Sequence, residues 1–241
     1  MSCDGDLVHL PALRVHGGRI PPPMYSQRAG WRAAAAGAVI AVLDYGIGNL
    51  RSAQKALEKV GADAVLVSTP AEAKGAAGVV LPGVGAFGRC MEALRESGLD
   101  GVAVDAVEEG TPFLGICVGM QMMYRRSEED PDVAGLGLIE AEVRALPAGV
   151  KRPQMQWNVL DPAPGREHSA LLDGIGQGSW AYFVHSFAAE PTPEVAATCD
   201  YGGPVVAAVE RGPLWATQFH PEKSGAVGLR LLANFAAACA A

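Results

Sequence analysis

Between Ala38 and Ile116, short unbroken apolar runs alternate with amphipathic stretches. Ala38–Leu43 predicts a buried strand, and Asp44-Tyr45-Gly46-Ile47-Gly48 follows it as a turn rich in the residue that tolerates positive φ. A helix is expected next. Asn49 is placed as its N-cap, Leu50, Ala53, Ala56, Leu57 and Val60 recur at helical spacing, and Gly61 is set to end it. Val65–Val67, Gly78–Leu81 and Phe113–Ile116 read as further strands, with helices over Met91–Ser97 and Gly101–Glu109. Strands that are apolar throughout, without alternation, must be covered on both faces. This half of the chain therefore predicts a parallel sheet flanked by helices.

After about Gly135 the pattern changes. Shorter runs with polar interruptions, at Leu138–Leu146, Gln156–Leu160, Ala181–Phe187, Glu194–Cys199, Val205–Val209 and Leu214–Phe219, predict antiparallel strands added to that sheet. A last helix over Ala226–Ala238 aligns Val227, Leu231 and Phe235 on one face. The expected fold class is α/β: a central, mostly parallel sheet flanked by helices, with antiparallel strands in the C-terminal half. Residues 1–38 stand apart, with Pro21-Pro22-Pro23, Gly17-Gly18 and no acid between Asp6 and Asp44. They read as a disordered leader or a misassigned start, and a single domain is expected over 39–241.

Composition narrows the function. With 49% hydrophobic residues, the 241-residue chain can build one sizeable core. A net charge of −7 without any long Lys/Arg run argues against nucleic-acid binding. The longest uncharged apolar stretch, Ala33–Leu43, is well short of the roughly 20 residues a membrane span requires. The cysteines, Cys3, Cys90, Cys117, Cys199 and Cys239, are scattered and never in C-x-x-C spacing, so neither a disulfide framework nor a zinc site is expected, and a reducing cytoplasm suits them. No metal and no cofactor are expected.

Three segments carry candidate chemistry. Gly115-Ile116-Cys117-Val118-Gly119 sets a cysteine between a buried strand and a helix. It is the thiol counterpart of a nucleophile elbow, with the Val118 N–H available to an oxyanion; a small buried structural cysteine is the alternative. Gln218-Phe219-His220-Pro221-Glu222 supplies a base and a carboxylate that could orient it. If the segment is extended, His220 and Glu222 point to one side; the alternative is a surface histidine beside an acid. Leu81-Pro82-Gly83-Val84-Gly85-Ala86-Phe87 opens on the C-terminal edge of a parallel sheet, where its glycines could turn a second N–H toward the same oxyanion, or form an ordinary turn.

In this order the three segments resemble the triad-type, class I glutamine amidotransferases. More narrowly, with Asp44–Leu50 and Tyr182–Phe187, the chain is similar to the glutaminase subunits of imidazole glycerol phosphate synthase from about Val39 to the C-terminus. The resemblance implies that Cys117 is the nucleophile, His220 the acid/base and Glu222 its orienting carboxylate, with Val118, Gly83, Val84 and Gly85 around the oxyanion. It implies that Gln121, Glu129, Ser186 and Phe187 hold the substrate, L-glutamine, and that Asn49, Lys223, Gln154 and Trp157 lie at the partner interface. The partner implied is a separate (β/α)₈ cyclase that receives the ammonia for histidine biosynthesis in a cytoplasmic heterodimer. It also implies a glutaminase nearly idle until that partner is loaded. The family usually carries Pro-His-Met-Gly-Trp-Asn where this chain has Pro153-Gln154-Met155-Gln156-Trp157-Asn158, which leaves room for a paralogue that delivers ammonia to a different synthase.

Overall fold

A computed structural model describes residues 38–166 and 168–241. Residues 1–37 of the expected leader lie outside the described residues. In chain order the first half is β1 (Val39–Leu43), α1 (Leu50–Lys59), β2 (Asp63–Val67), α2 (Pro70–Ala73), β3 (Gly78–Gly83), α3 (Phe87–Glu96), α4 (Leu99–Glu108), β4 (Phe113–Cys117) and α5 (Val118–Met122). The second half runs β5 (Arg126–Ser127), β6 (Asp130–Ala134), β7 (Val143–Ala145), β8 (Gln154–Pro162), β9 (Ser179–His185), β10 (Phe187–Ala189), β11 (Val195–Asp200), β12 (Pro204–Arg211), β13 (Leu214–Thr217) and α6 (Gly225–Cys239), with a 3₁₀ turn at Pro221–Lys223.

Nine strands form one sheet in the order β2-β1-β3-β4-β13-β12-β11-β8-β9. Neighbours from β2 to β13 are parallel. From β13 outward to β9 they are antiparallel. The unbroken apolar strands form the parallel half that their pattern predicts, but β13, expected to be antiparallel, pairs in parallel with β4 and antiparallel only with β12. All five residues of β4 are buried, and burial of each large apolar side chain contributes roughly 1.5–3 kcal/mol. Helix α1 buries Ala53, Ala56 and Leu57, packs on β1 and β2 and meets α6, while α3 and α4 pack together, with α4 against β3 and β4.

The boundaries differ where polar or special residues carry a strand. β3 continues through Pro82 and Gly83, because its register with β4 runs on to Gly83 opposite Cys117. The run Leu138–Leu146 forms a strand only at Val143–Ala145, inside a second sheet of order β10-β7-β5-β6. Among the described residues no helix is long and apolar enough to cross a membrane.

Candidate active site

The strand order reverses between β1 and β3, and the C-terminal ends of strands on either side of such a reversal leave a crevice. The turns after β1, β3 and β13 and the end of β4 all contribute to one cleft of about 600 Å³. At the end of β4 stands Cys117, with φ 56° and ψ −112°. It is the one residue other than glycine with positive φ among the described residues. Such strain persists only where the surroundings over-determine it, and here a five-residue buried strand and a five-residue buried helix meet at the cysteine. The cysteine is 3% exposed and its side chain forms part of the cleft wall.

His220 follows β13, and its Nδ1 donates to Glu222 Oε1 at 2.9 Å. The segment is not extended as expected. Lys223 N–H bonds back to the His220 carbonyl, so Pro221–Lys223 closes as a 3₁₀ turn that proline pre-organises, and the Glu222 carboxylate still reaches the ring. Asn49 precedes α1 as expected, but its side chain makes no cap bond. Its Nδ2 donates instead to Glu222 Oε1 at 3.2 Å. The side chains of His220 and Glu222 are each 2% exposed. Burial alone would lower the His220 imidazole. The neighbouring Cys117 sulfur and the hydrogen-bonded Glu222 carboxylate outweigh it and raise the ring to about 9. Burial pushes Glu222 up, and the His220 hydrogen bond and charge, with Asn49 assisting, hold it below the usual carboxylate range. His220 Nε2 has no geometrically defined hydrogen-bond partner among the described residues, which leaves it for the chemistry of the sulfur.

These shifts set the sign of a pH effect. A ring raised to about 9 is protonated at neutral pH and loses its proton on the alkaline side, so activity that needs the imidazolium falls there. Glu222→Gln removes one of the groups that raise the ring. Its alkaline limb is expected at lower pH than the wild type's, read from pH profiles of kcat/KM for glutamine hydrolysis. An unmoved limb would show that Glu222 does not tune His220.

Of the expected oxyanion groups, Val118, Val84 and Gly85 line the cleft, with Gly85 at φ 100°. Gly83 does not; it is held in the ladder beside Cys117, because β3 is longer than its apolar run. Behind this loop the Tyr45 hydroxyl donates to the Pro82 carbonyl at 2.7 Å and the Cys90 thiol to the Val84 carbonyl at 3.3 Å. The peptide groups on either side of the Gly83–Val84 link are thereby anchored.

The expected substrate residues Gln121, Glu129, Ser186 and Phe187 all line the cleft. Glu129 Oε2 accepts from the Phe87 N–H at 2.9 Å, and Gln121 Nε2 is already committed to the Phe187 carbonyl at 2.9 Å. Asn49 and Lys223 stand at the cleft as well. Trp157 is 47% exposed on β8, as an interface residue must be. Gln154 is a correction. It is fully buried with its Nε2 toward Cys199 Sγ at 3.8 Å, so its side chain cannot touch a partner. Sequence reasoning missed His185 as a cleft residue. Burial holds that imidazole down at about 4, against the raising effect of the Phe187 carbonyl that Nδ1 bonds at 2.8 Å, so it stays neutral. Its place beside Ser186 was the available signal.

Residues 41–239 match the sequence profile of the family described as glutamine amidotransferase class-I. The chain is 47% identical over 199 residues to the imidazole glycerol phosphate synthase subunit HisH of Moorella thermoacetica, covering 81% of this chain and 93% of the relative. It is 48% identical over 198 residues to the subunit of that name from Methanothermobacter thermautotrophicus, covering 82% and 97%. The chain belongs to the HisH family of class I glutamine amidotransferases. A solved structure described as PurLQS from Thermotoga maritima shares this fold, with a TM-score of 0.66 at 19% identity over 82% of this chain and 96% of that one. In this amidotransferase the sheet reversal, the strained cysteine and the buried His220–Glu222 pair fall inside the family match.

Proposed function

We propose that this chain is the glutaminase subunit of an imidazole glycerol phosphate synthase, releasing ammonia from L-glutamine for a separate cyclase subunit in histidine biosynthesis. The observation that carries the reading is the buried His220–Glu222 pair interacting with the strained Cys117 at one cleft. In the proposed reaction the Cys117 thiolate attacks the side-chain amide carbon of glutamine. The oxygen gains the negative charge, and N–H groups of Val118 and the Val84–Gly85 loop stabilise it. His220 gives its proton to the departing nitrogen, ammonia leaves and a γ-glutamyl thioester remains. Water then attacks the thioester, His220 takes its proton, and glutamate and the starting thiolate are restored. Glu129 and the Ser186–Phe187 backbone would hold the amino-acid end of the substrate.

The partner is proposed to be a (β/α)₈ cyclase, forming a heterodimer in the cytoplasm. It would seat over Asn49 and Lys223 and on the exposed face of β8 and β9. Met155 and Trp180 are 63% and 55% exposed there, and Trp157 meets Tyr182 edge-on with centroids 5.9 Å apart. Burial of Gln154 removes one of the two substitutions that favoured a different ammonia acceptor. The test is glutamate release by this chain alone, with cyclase, and with cyclase plus its ligand. The loaded complex is expected to exceed the lone chain by about tenfold or more, the scale of ordinary coupling between sites. Equal turnover would reject the coupling, and no glutamate in any arm would reject the glutaminase.

A further inference from the structure

Gln218 begins the run that leads from β13 to His220, and it is fully buried. A buried amide must place both its ends on partners of the right kind. Its oxygen accepts from Gln121 Nε2 at 3.0 Å. Its nitrogen lies 3.8 Å from Cys117 Sγ, within range for a hydrogen bond to sulfur. The Gln121 nitrogen is also held by the Phe187 carbonyl at 2.9 Å, and only an NH₂ can donate to two acceptors at once. That fixes the sense of both amides. Were Gln218 turned over, two NH₂ groups would face each other and a carbonyl oxygen would face the sulfur.

The sulfur has a second polar neighbour of opposite character. The Val184 carbonyl lies 3.9 Å away, where it can accept from a neutral thiol but repels a thiolate. Gln218 is the opposing group, since its N–H stabilises sulfur that carries charge. We propose that Gln218 is a catalytic residue whose amide N–H holds the Cys117 sulfur in its attacking form, and that Gln121 is the positioning residue that keeps this amide the right way round. This gives Gln121, which also lines the cleft, a task behind the nucleophile. The chain of contacts also joins the Phe187 carbonyl, on the substrate side of the cleft, to the reacting atom. The inference rests on Cys117 being the nucleophile, as proposed above.

The test uses the full chain in complex with its cyclase and compares wild type, Gln218→Met and Gln121→Met. Methionine keeps the length of the side chain and removes the amide. Two rates are read: glutamate release, and modification of Cys117 by iodoacetamide at pH 7, followed by mass spectrometry of the Cys117 peptide. Iodoacetamide needs the ionised sulfur but neither the oxyanion donors nor the glutamine contacts, so a substitution that merely loosens the substrate pocket leaves its rate unchanged. Gln218→Met is expected to lower kcat and the modification rate about tenfold each, with KM within about twofold. Gln121→Met, which frees the amide to turn over, is expected to slow modification by about threefold. Unchanged modification in a folded Gln218→Met overturns the proposal. Should that variant not fold, Gln121→Met decides alone, and wild-type modification there overturns it. A wild type in which Cys117 is not modified, or a Cys117→Ala variant that still releases glutamate, would defeat the reading of the nucleophile itself.

Discussion

Cys117→Ala is expected to reduce glutamine-dependent turnover of the cyclase complex by about 10⁴-fold or more, while turnover supplied with free ammonia stays at the wild-type level. The size follows from loss of the atom that forms the covalent intermediate, which removes the whole two-step route and not one of its stabilising contacts. Folding is expected to survive. Alanine occupies less space than cysteine in a site 3% exposed, and at φ 56° it has the same Cβ strain that cysteine already bears. The sulfur's neighbours at Val184 and Gln218 lose only contacts of 3.9 and 3.8 Å. The experiment measures glutamate release and cyclase product in parallel, with glutamine and then with an ammonium salt. Loss of the ammonia-driven rate as well would mean that the substitution disturbs assembly. Retention of more than about a hundredth of the glutamine-driven rate would remove Cys117 from the nucleophile's role.

The parts of this site differ in how openly the chain declares them. The parallel strands are legible because burial on both faces leaves unbroken apolar runs, and parallel pairing in turn sends their C-terminal ends to one edge. That alone brings Cys117, Val84 and His220 to a common cleft from three distant segments. The glycines around Cys117 and the short distance from His220 to Glu222 are local features, visible without the fold. What stayed hidden depends on neighbours that no single segment reveals. Pro82 and Gly83 look like loop residues, yet the β4 ladder captures them and takes Gly83 off the cleft wall. β6 is formed by Asp130–Ala134, where two aspartates and a proline precede Val133 and Ala134 and no residue is buried, so it carries no apolar run. Gln154 has the look of a surface amide, but β9 on one side and Cys199 below enclose it. Asn49 is a residue type suited to a helix cap, and its side chain is drawn to Glu222, 173 positions away in sequence, by a carboxylate that comes within reach only once the sheet has formed.

The same elbow makes Gly119→Ala a strongly destabilising substitution. A Cβ at this position would lie 1.8 Å from the Leu81 carbonyl oxygen and 2.9 Å from its carbon. Both atoms belong to the backbone of β3, whose Leu81 is paired with Gly115 of β4, so neither can yield by a change of rotamer. Relief requires α5 to move away from β3, and that movement would carry the Cys117 turn with it. Elsewhere on the elbow the obstruction is softer: a Cβ at Gly115 would first meet the end of the Met123 side chain at 2.6 Å, although backbone follows at 3.0 Å. The expected loss for Gly119→Ala is above about 4 kcal/mol, the range reserved for overpacking against groups that cannot relax. For a domain of this size that corresponds to a fall in Tm of about 10 °C or more. Gly137→Ala is the control for a fold without such an obstacle: nothing lies within 4 Å of its Cβ, and its cost comes from φ 69° alone. Thermal denaturation of the two variants beside the wild type gives the comparison. If Gly119→Ala melts no lower than Gly137→Ala, α5 does not press on β3 as closely as described, and the strained setting of the cysteine loses its structural cause.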